Sequence, residues 1–175
     1  MVTTGRLLLV LPIVWLITAE HFVVAFWVFI AAGLSDALDG YIAKNFNART
    51  VLGAYLDPLA DKLLLNGIYV ALALIGWLPL WLVLMVVSRD VLIVLGVILI
   101  QRRNPVFRAT PLLIGKANTF AQLLLAACLL AHGAALVDMA DWITPLIGFV
   151  AITTLLSGGG YIAQALRALG PERPS

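Results

Sequence analysis

Six apolar runs follow one another along this chain with only short breaks between them, and they leave it little choice of surroundings. They cover residues 2–19, 22–44, 54–75, 80–101, 116–132 and 142–169. A helix needs about 20 residues to cross the hydrocarbon of a bilayer. No soluble domain of this length needs 63% hydrophobic residues or a mean hydropathy of +1.07. The expected fold is therefore an all-α integral membrane protein, a six-transmembrane-helix bundle forming a single domain over residues 1–175. The lone cysteine, Cys128, sits in an apolar run and reads as a small packing residue. Arg6 alone flanks the first run, and Ile17-Thr18-Ala19 makes a poor cleavage site, so that run reads as a membrane helix rather than a removable signal. No Arg/Ser-rich transit segment is evident. The expected location is a bacterial inner membrane, or the mitochondrial inner membrane for a processed organellar form.

The cations orient this bundle. With six spans, both termini share one side with the second and fourth breaks. Of the 11 Lys and Arg, ten fall on or near that side: Arg6, Lys44, Arg49, Lys62, Arg102, Arg103, Arg108, Lys116, Arg167 and Arg173. The exception, Arg89, lies inside the fourth run. The remaining breaks hold Glu20, His21, Asp138 and Asp141 but no Lys or Arg. The positive-inside rule then places both termini in the cytoplasm. The basic residues find partners enough in membrane lipids, and no nucleic-acid partner is expected.

Four aspartates break the apolar pattern at the same end: Asp36 and Asp39 late in the second run, Asp57 and Asp61 early in the third. An acid at the centre of a membrane helix costs about 2.5–3.5 kcal/mol, so four buried without partners would cost roughly 10–14 kcal/mol. At about 100° per residue, Asp36, Asp39, Gly40 and Ala43 share an arc of roughly 100°. Asp57 and Asp61 stand one turn apart on a second helix, with Pro58 expected near its start and Gly53 a turn earlier. The result is two helix faces with four carboxylates and small residues between them. Hard oxygen donors without a Cys or His cluster suit Mg²⁺ or Mn²⁺, and two such cations can clamp a phosphoryl group during in-line displacement.

The segment from Asp36 to Asp61 resembles the signature of the CDP-alcohol phosphatidyltransferase family, D-x2-D-G-x2-A-R-x8-G-x3-D-x3-D. Every fixed position matches except the Arg, where this chain has Lys44. The resemblance implies six membrane helices, a homodimer, two bound divalent cations and a CDP-linked donor such as CDP-diacylglycerol. It implies that Asp36, Asp39, Asp57 and Asp61 are metal ligands and that Asp61 is also the catalytic base. Asp36, Asp39, Gly40, Ala43, Lys44 and Gly53 would line the donor site, with Lys44 replacing the Arg that faces the donor. Thr3-Thr4-Gly5-Arg6 resembles the end of the family's amphipathic entry segment.

The acceptor is read from weaker signals. Ser88-Arg89-Asp90-Val91, Gly115-Lys116-Ala117-Asn118-Thr119 and Asp57-Pro58-Leu59-Ala60-Asp61-Lys62 resemble the CMP-forming cardiolipin synthase branch. That branch implies transfer of a phosphatidyl group from CDP-diacylglycerol to phosphatidylglycerol. The alternative is the phosphatidylglycerophosphate synthase branch, whose acceptor is glycerol 3-phosphate. Candidate acceptor contacts are Arg89, Arg102, Arg108 and Lys116. Arg89 reads either as a phosphate contact or as the partner of a nearby acid, because an Arg inside a span faces the bundle interior. Gly158-Gly159-Gly160 reads as close helix packing. A cation transporter is the remaining class, but it would place acids near the midplane, often in repeats, and this chain shows neither.

Overall fold

The computed structural model describes the backbone of residues 2–45, 51–103 and 112–169, and the side chains of 8–35, 60–98, 100 and 112–166. Six helices account for nearly all of it: α1 (Val2–Thr18), α2 (Phe22–Asn45), α3 (Val51–Leu74), α4 (Leu80–Arg103), α5 (Leu113–Gly133) and α6 (Ala140–Leu169). Each expected apolar run becomes one helix. Three of them, α4, α5 and α6, are long and apolar enough among the described residues to cross a bilayer, and α1 and α2 contribute shorter apolar stretches at Leu8–Thr18 and Phe22–Ser35. The outward surface confirms the solvent. Trp15, Trp27, Leu84, Leu95, Phe149 and Leu155 are all exposed, which suits lipid and not water. The chain is a multi-pass integral membrane protein.

Packing follows two groups. Helix α3 lies against α1, α4 and α5, and α6 lies against α4 and α5. Ile13 and Ile17 of α1, Ile68, Tyr69 and Leu72 of α3, Leu82 of α4, and Leu125 and Leu129 of α5 form the centre, each almost fully enclosed. Helix α2 packs on α1 and α5 but, among the described residues, not on α3. That gap matters below.

The connections at 19–21, 75–79 and 134–139 are short, and aromatic contacts tie them into one end of the bundle. Gly76 adopts φ +80°, which costs glycine nothing. There Gly76 N–H donates to Ala73 O at 3.0 Å and Trp77 N–H to Leu72 O at 2.9 Å, closing α3. The Trp77 ring then stacks on Phe22 at 4.6 Å and tilts against His132 at 6.1 Å. Gly133 must be glycine for this to close: a Cβ there would lie 2.6 Å from Trp77 and 2.7 Å from Phe22.

Helices α3, α5 and α6 begin two or three residues earlier than the sequence suggests. Helix α3 starts at Val51 and not at 54, so Pro58 lies within it and not near its first turn. A proline removes one backbone donor and so weakens, without forbidding, the turn before it. Helix α5 starts at Leu113, after an extended Leu112, whose carbonyl accepts from Gly115 and Lys116 at 3.0 and 3.3 Å. Gly115 therefore sits in the first turn and is not a breaker. Its missing side chain leaves room for α6 and α4: a Cβ would meet the Tyr161 hydroxyl at 3.2 Å and an Arg89 guanidinium nitrogen at 3.4 Å.

Candidate functional site

The backbone places Asp36, Asp39, Gly40, Ala43 and Lys44 on the last turns of α2, and Gly53, Asp57 and Asp61 on the first turns of α3. One acid pair thus lies on the C-terminal part of α2 and the other on the N-terminal part of α3. The side chains of Asp36, Asp39, Ala43, Lys44 and Asp57 lie outside the described residues, as does any packing at Gly40 and Gly53. So does the side chain of Arg102, and Arg108 lies outside them altogether. Of the four acids, Asp61 is fully described and is half-buried. Among the described residues no three His, Cys, Asp or Glu side chains gather as a metal site.

Asp61 borders a cavity of about 360 Å³ that fills the gap left by α2 and α3. Phe29, Ala32 and Gly33 of α2 and Leu64 and Leu65 of α3 supply its apolar wall. Asp61 and Lys62 of α3, Asp90 of α4, and Thr119 and Gln122 of α5 supply its polar wall. Ala32 and Gly33, which border the cavity, precede Asp36 by one turn on α2.

A charged cluster stands beside this cavity. Asp90 Oδ1 accepts from Lys62 Nζ and from Arg89 Nη1, both at 2.7 Å. Arg89 and Asp90 are each only 6% exposed. A buried carboxylate between two cations is compensated, whereas removing it would leave both uncompensated. The guanidinium of Arg89 also donates through Nη2 to Ser157 on α6 and lies 5.6 Å from the centre of the Tyr161 ring. Arg89 is thus the partner of a nearby acid, one of the two readings its position allowed. Among the described residues, its Nε is buried with no hydrogen-bond partner. Lys62 and Asp90 stand in the segments that resemble the cardiolipin synthase branch, but their pairing is not evident from the sequence. A visible signal existed: an acid within an apolar run, next to an Arg.

Arg89 faces a second cavity, about 220 Å³, between α4 and α6. Apart from Arg89, Tyr161 and Gln164 its walls are aliphatic or glycine, including Leu92, Val97 and Ile162. Lys116 is exposed and borders neither cavity. Deeper in the bundle, Asn118 Oδ1 accepts from Thr153 and Thr154, each at 2.9 Å, and fastens α5 to α6. Tyr69 donates to the backbone carbonyl of Gln122 at 3.1 Å and fastens α3 to α5. Of the α6 glycines, Gly160 serves close packing, since a Cβ there would meet Leu112 at 3.0 Å; one at Gly158 would make an ordinary contact with the Arg89 stem at 3.7 Å, and one at Gly159 would meet nothing within 4 Å.

Known proteins share this arrangement of sequence. Human cardiolipin synthase (CMP-forming) is 39% identical over 165 residues, covering 84% of this chain and 54% of that protein. A rice protein, CDP-diacylglycerol--glycerol-3-phosphate 3-phosphatidyltransferase 1, chloroplastic, is 34% identical over 191 residues, 99% of this chain and 58% of its own length. The Bacillus subtilis CDP-diacylglycerol--glycerol-3-phosphate 3-phosphatidyltransferase is 30% identical over 148 residues, 81% of this chain and 72% of its own. The chain thus spans little more than half of the human and rice relatives. The family model for CDP-alcohol phosphatidyltransferases matches residues 1–156, which takes in both acid pairs, the cavity's polar wall and the Lys62–Asp90–Arg89 cluster. A chain with this signature, on helices that enclose a half-polar cavity in a membrane bundle, belongs to the CDP-alcohol phosphatidyltransferase family.

Proposed function

We propose that the protein transfers a phosphatidyl group from CDP-diacylglycerol to the hydroxyl of phosphatidylglycerol, releasing CMP and forming cardiolipin. The observation that carries this is the Asp36–Asp61 signature, whose last acid, Asp61, borders a cavity inside the bundle. The bundle crosses the membrane six times, with both termini and the acid-bearing end at the cytoplasmic face, because the other connections lack Lys and Arg. It works as a homodimer, as the family resemblance implies.

Four carboxylates spaced along two consecutive helices form a hard-oxygen donor set. That suits two Mg²⁺ or Mn²⁺ ions held by Asp36, Asp39, Asp57 and Asp61. When bound, such ions neutralise the pyrophosphate and the charge that develops as CMP departs. The small residues Gly40, Ala43 and Gly53 leave room for the nucleotide, and Lys44 contacts a donor phosphate as a point charge. Asp61 accepts the proton of the attacking hydroxyl. The acceptor oxygen bonds to the lipid-side phosphorus, and the bond from that phosphorus to the CMP oxygen breaks.

Two features favour a lipid acceptor. The α4–α6 cavity is apolar and ends on a buried guanidinium, which suits a phospholipid better than a water-soluble phosphate. The human relative, at 39% identity, is named a cardiolipin synthase. Arg89 would hold the acceptor phosphate through its unpartnered Nε, and Arg102, Arg108 and Lys116 would draw anionic lipid to the surface. The second reading, a phosphatidylglycerophosphate synthase with glycerol 3-phosphate as acceptor, is favoured by the rice and Bacillus relatives. Purified protein with CDP-diacylglycerol and Mg²⁺ decides between them. CMP release with phosphatidylglycerol and not with glycerol 3-phosphate supports the first reading; the reverse supports the second; release with neither overturns both.

A further inference from the structure

Among the described residues, four buried side-chain atoms lack a hydrogen-bond partner: Asn66 Oδ1, Arg89 Nε, Asn118 Nδ2 and Gln122 Nε2. Three of them are donors, on α4 and α5; Arg89 borders the α4–α6 cavity and Gln122 the Asp61 cavity. An unpartnered donor away from water is costly, and native interiors rarely keep one without cause. Asn118 has a structural explanation, since its carbonyl oxygen anchors Thr153 and Thr154. Gln122 has none of that kind. It is 2% exposed, its backbone carbonyl is fixed by Tyr69, and its side chain borders the same cavity as Asp61, Lys62, Asp90 and Thr119.

We infer that Gln122 is the specificity residue for the acceptor alcohol, donating from Nε2 to the hydroxyl adjacent to the one that reacts. The inference rests on the proposed phosphatidyl transfer. Its logic is chemical matching. The cations near the cavity, Lys62 and Arg89, suit a phosphate. A neutral amide suits a hydroxyl, which can both accept and donate. Phosphatidylglycerol and glycerol 3-phosphate both end in a vicinal diol. With the primary hydroxyl at Asp61, the secondary hydroxyl is the remaining polar group to be read on the same cavity wall. Gln122 touches the acceptor and takes no proton; it fixes which alcohol sits with its primary oxygen towards the base. A site built around a hydroxyl disfavours an alcohol lacking it, because the amide is then left unpaired.

The test compares phosphatidylglycerol with phosphatidyl-1,3-propanediol, which keeps the primary hydroxyl and lacks the secondary one. If glycerol 3-phosphate proves to be the acceptor, 3-hydroxypropyl phosphate takes that place. Wild type should prefer the diol by about 5- to 150-fold in kcat/KM, the range for one buried hydrogen bond lost. Gln122→Leu should treat the two alcohols alike to within about threefold, with KM for CDP-diacylglycerol unchanged. Gln122→Met, nearer in shape and more adaptable, is measured beside it in case the leucine variant does not fold, and should behave the same way. A merely structural role would lower both activities in proportion and keep the preference. A preference retained in the variants, with wild type turning over normally, overturns the Gln122 assignment alone. Absence of CMP release by wild type with every acceptor overturns the transfer reading, and this assignment with it.

Discussion

The two ends of the bundle are built by different rules. At the end formed by 19–21, 75–79 and 134–139, short connections meet over stacked rings, and Gly133 lets Phe22 and Trp77 close on α5. The half that carries the acids holds a cavity, an ion cluster and several unpartnered donors. Between hydrocarbon-bathed helices there is no water-driven association, so shape and hydrogen bonds must hold the contacts. The ring end uses shape. In the acid half α2 and α3 make no direct packing contact among the described residues, and polar groups are kept in reserve. The proposed chemistry falls where polar groups are not mutually satisfied among the described residues.

The largest expected effect falls in the acid half and concerns turnover, not folding. Asp61→Asn should cut CMP release by about 10²–10⁴-fold, the usual cost of losing a general base. Its thermal unfolding in detergent should stay near wild type. Near-normal release would remove Asp61 from the reaction and with it the functional half of the contrast.

Asp90→Ala should act on stability. It leaves Lys62 and Arg89 facing each other without their shared carboxylate. Breaking a buried ion pair from one side costs about 3–5 kcal/mol. Denaturant titration in mild detergent should show this, and adding Lys62→Met should recover part of it. No loss on removing Asp90 would mean the cluster is an incidental contact. At the ring end, Gly133→Ala should cost less, about 1–3 kcal/mol as an overpacked contact. The Michaelis constants should not move. A changed KM for either substrate would join the two ends and break the comparison.

Much of this contrast was legible in the sequence. Apolar runs gave the six helices, with starts at α3 and α5 shifted by a few residues, because Pro58 and Gly115 read as boundary residues while the fold absorbs both. The acid signature was legible because its chemistry needs residues close along the chain. The Lys62–Asp90 pair, 28 residues apart, and the Asn118–Thr153 bond, 35 apart, were not. Nothing periodic links such partners; only the crossing of helices brings them together. Single polar residues inside apolar runs were the available sign, since each must find a partner there. Gln122 is the instructive case, a buried polar residue whose Nε2 finds no partner among the described residues.

The central claim is that the acid-bearing ends of α2 and α3 form the reactive centre. Anomalous scattering from crystals grown with Mn²⁺ and CDP-diacylglycerol tests it most directly. The account predicts two manganese peaks contacting the carboxylates of Asp36, Asp39, Asp57 and Asp61, with the pyrophosphate beside them. Manganese bound elsewhere, with those four carboxylates contacting no metal, would contradict it.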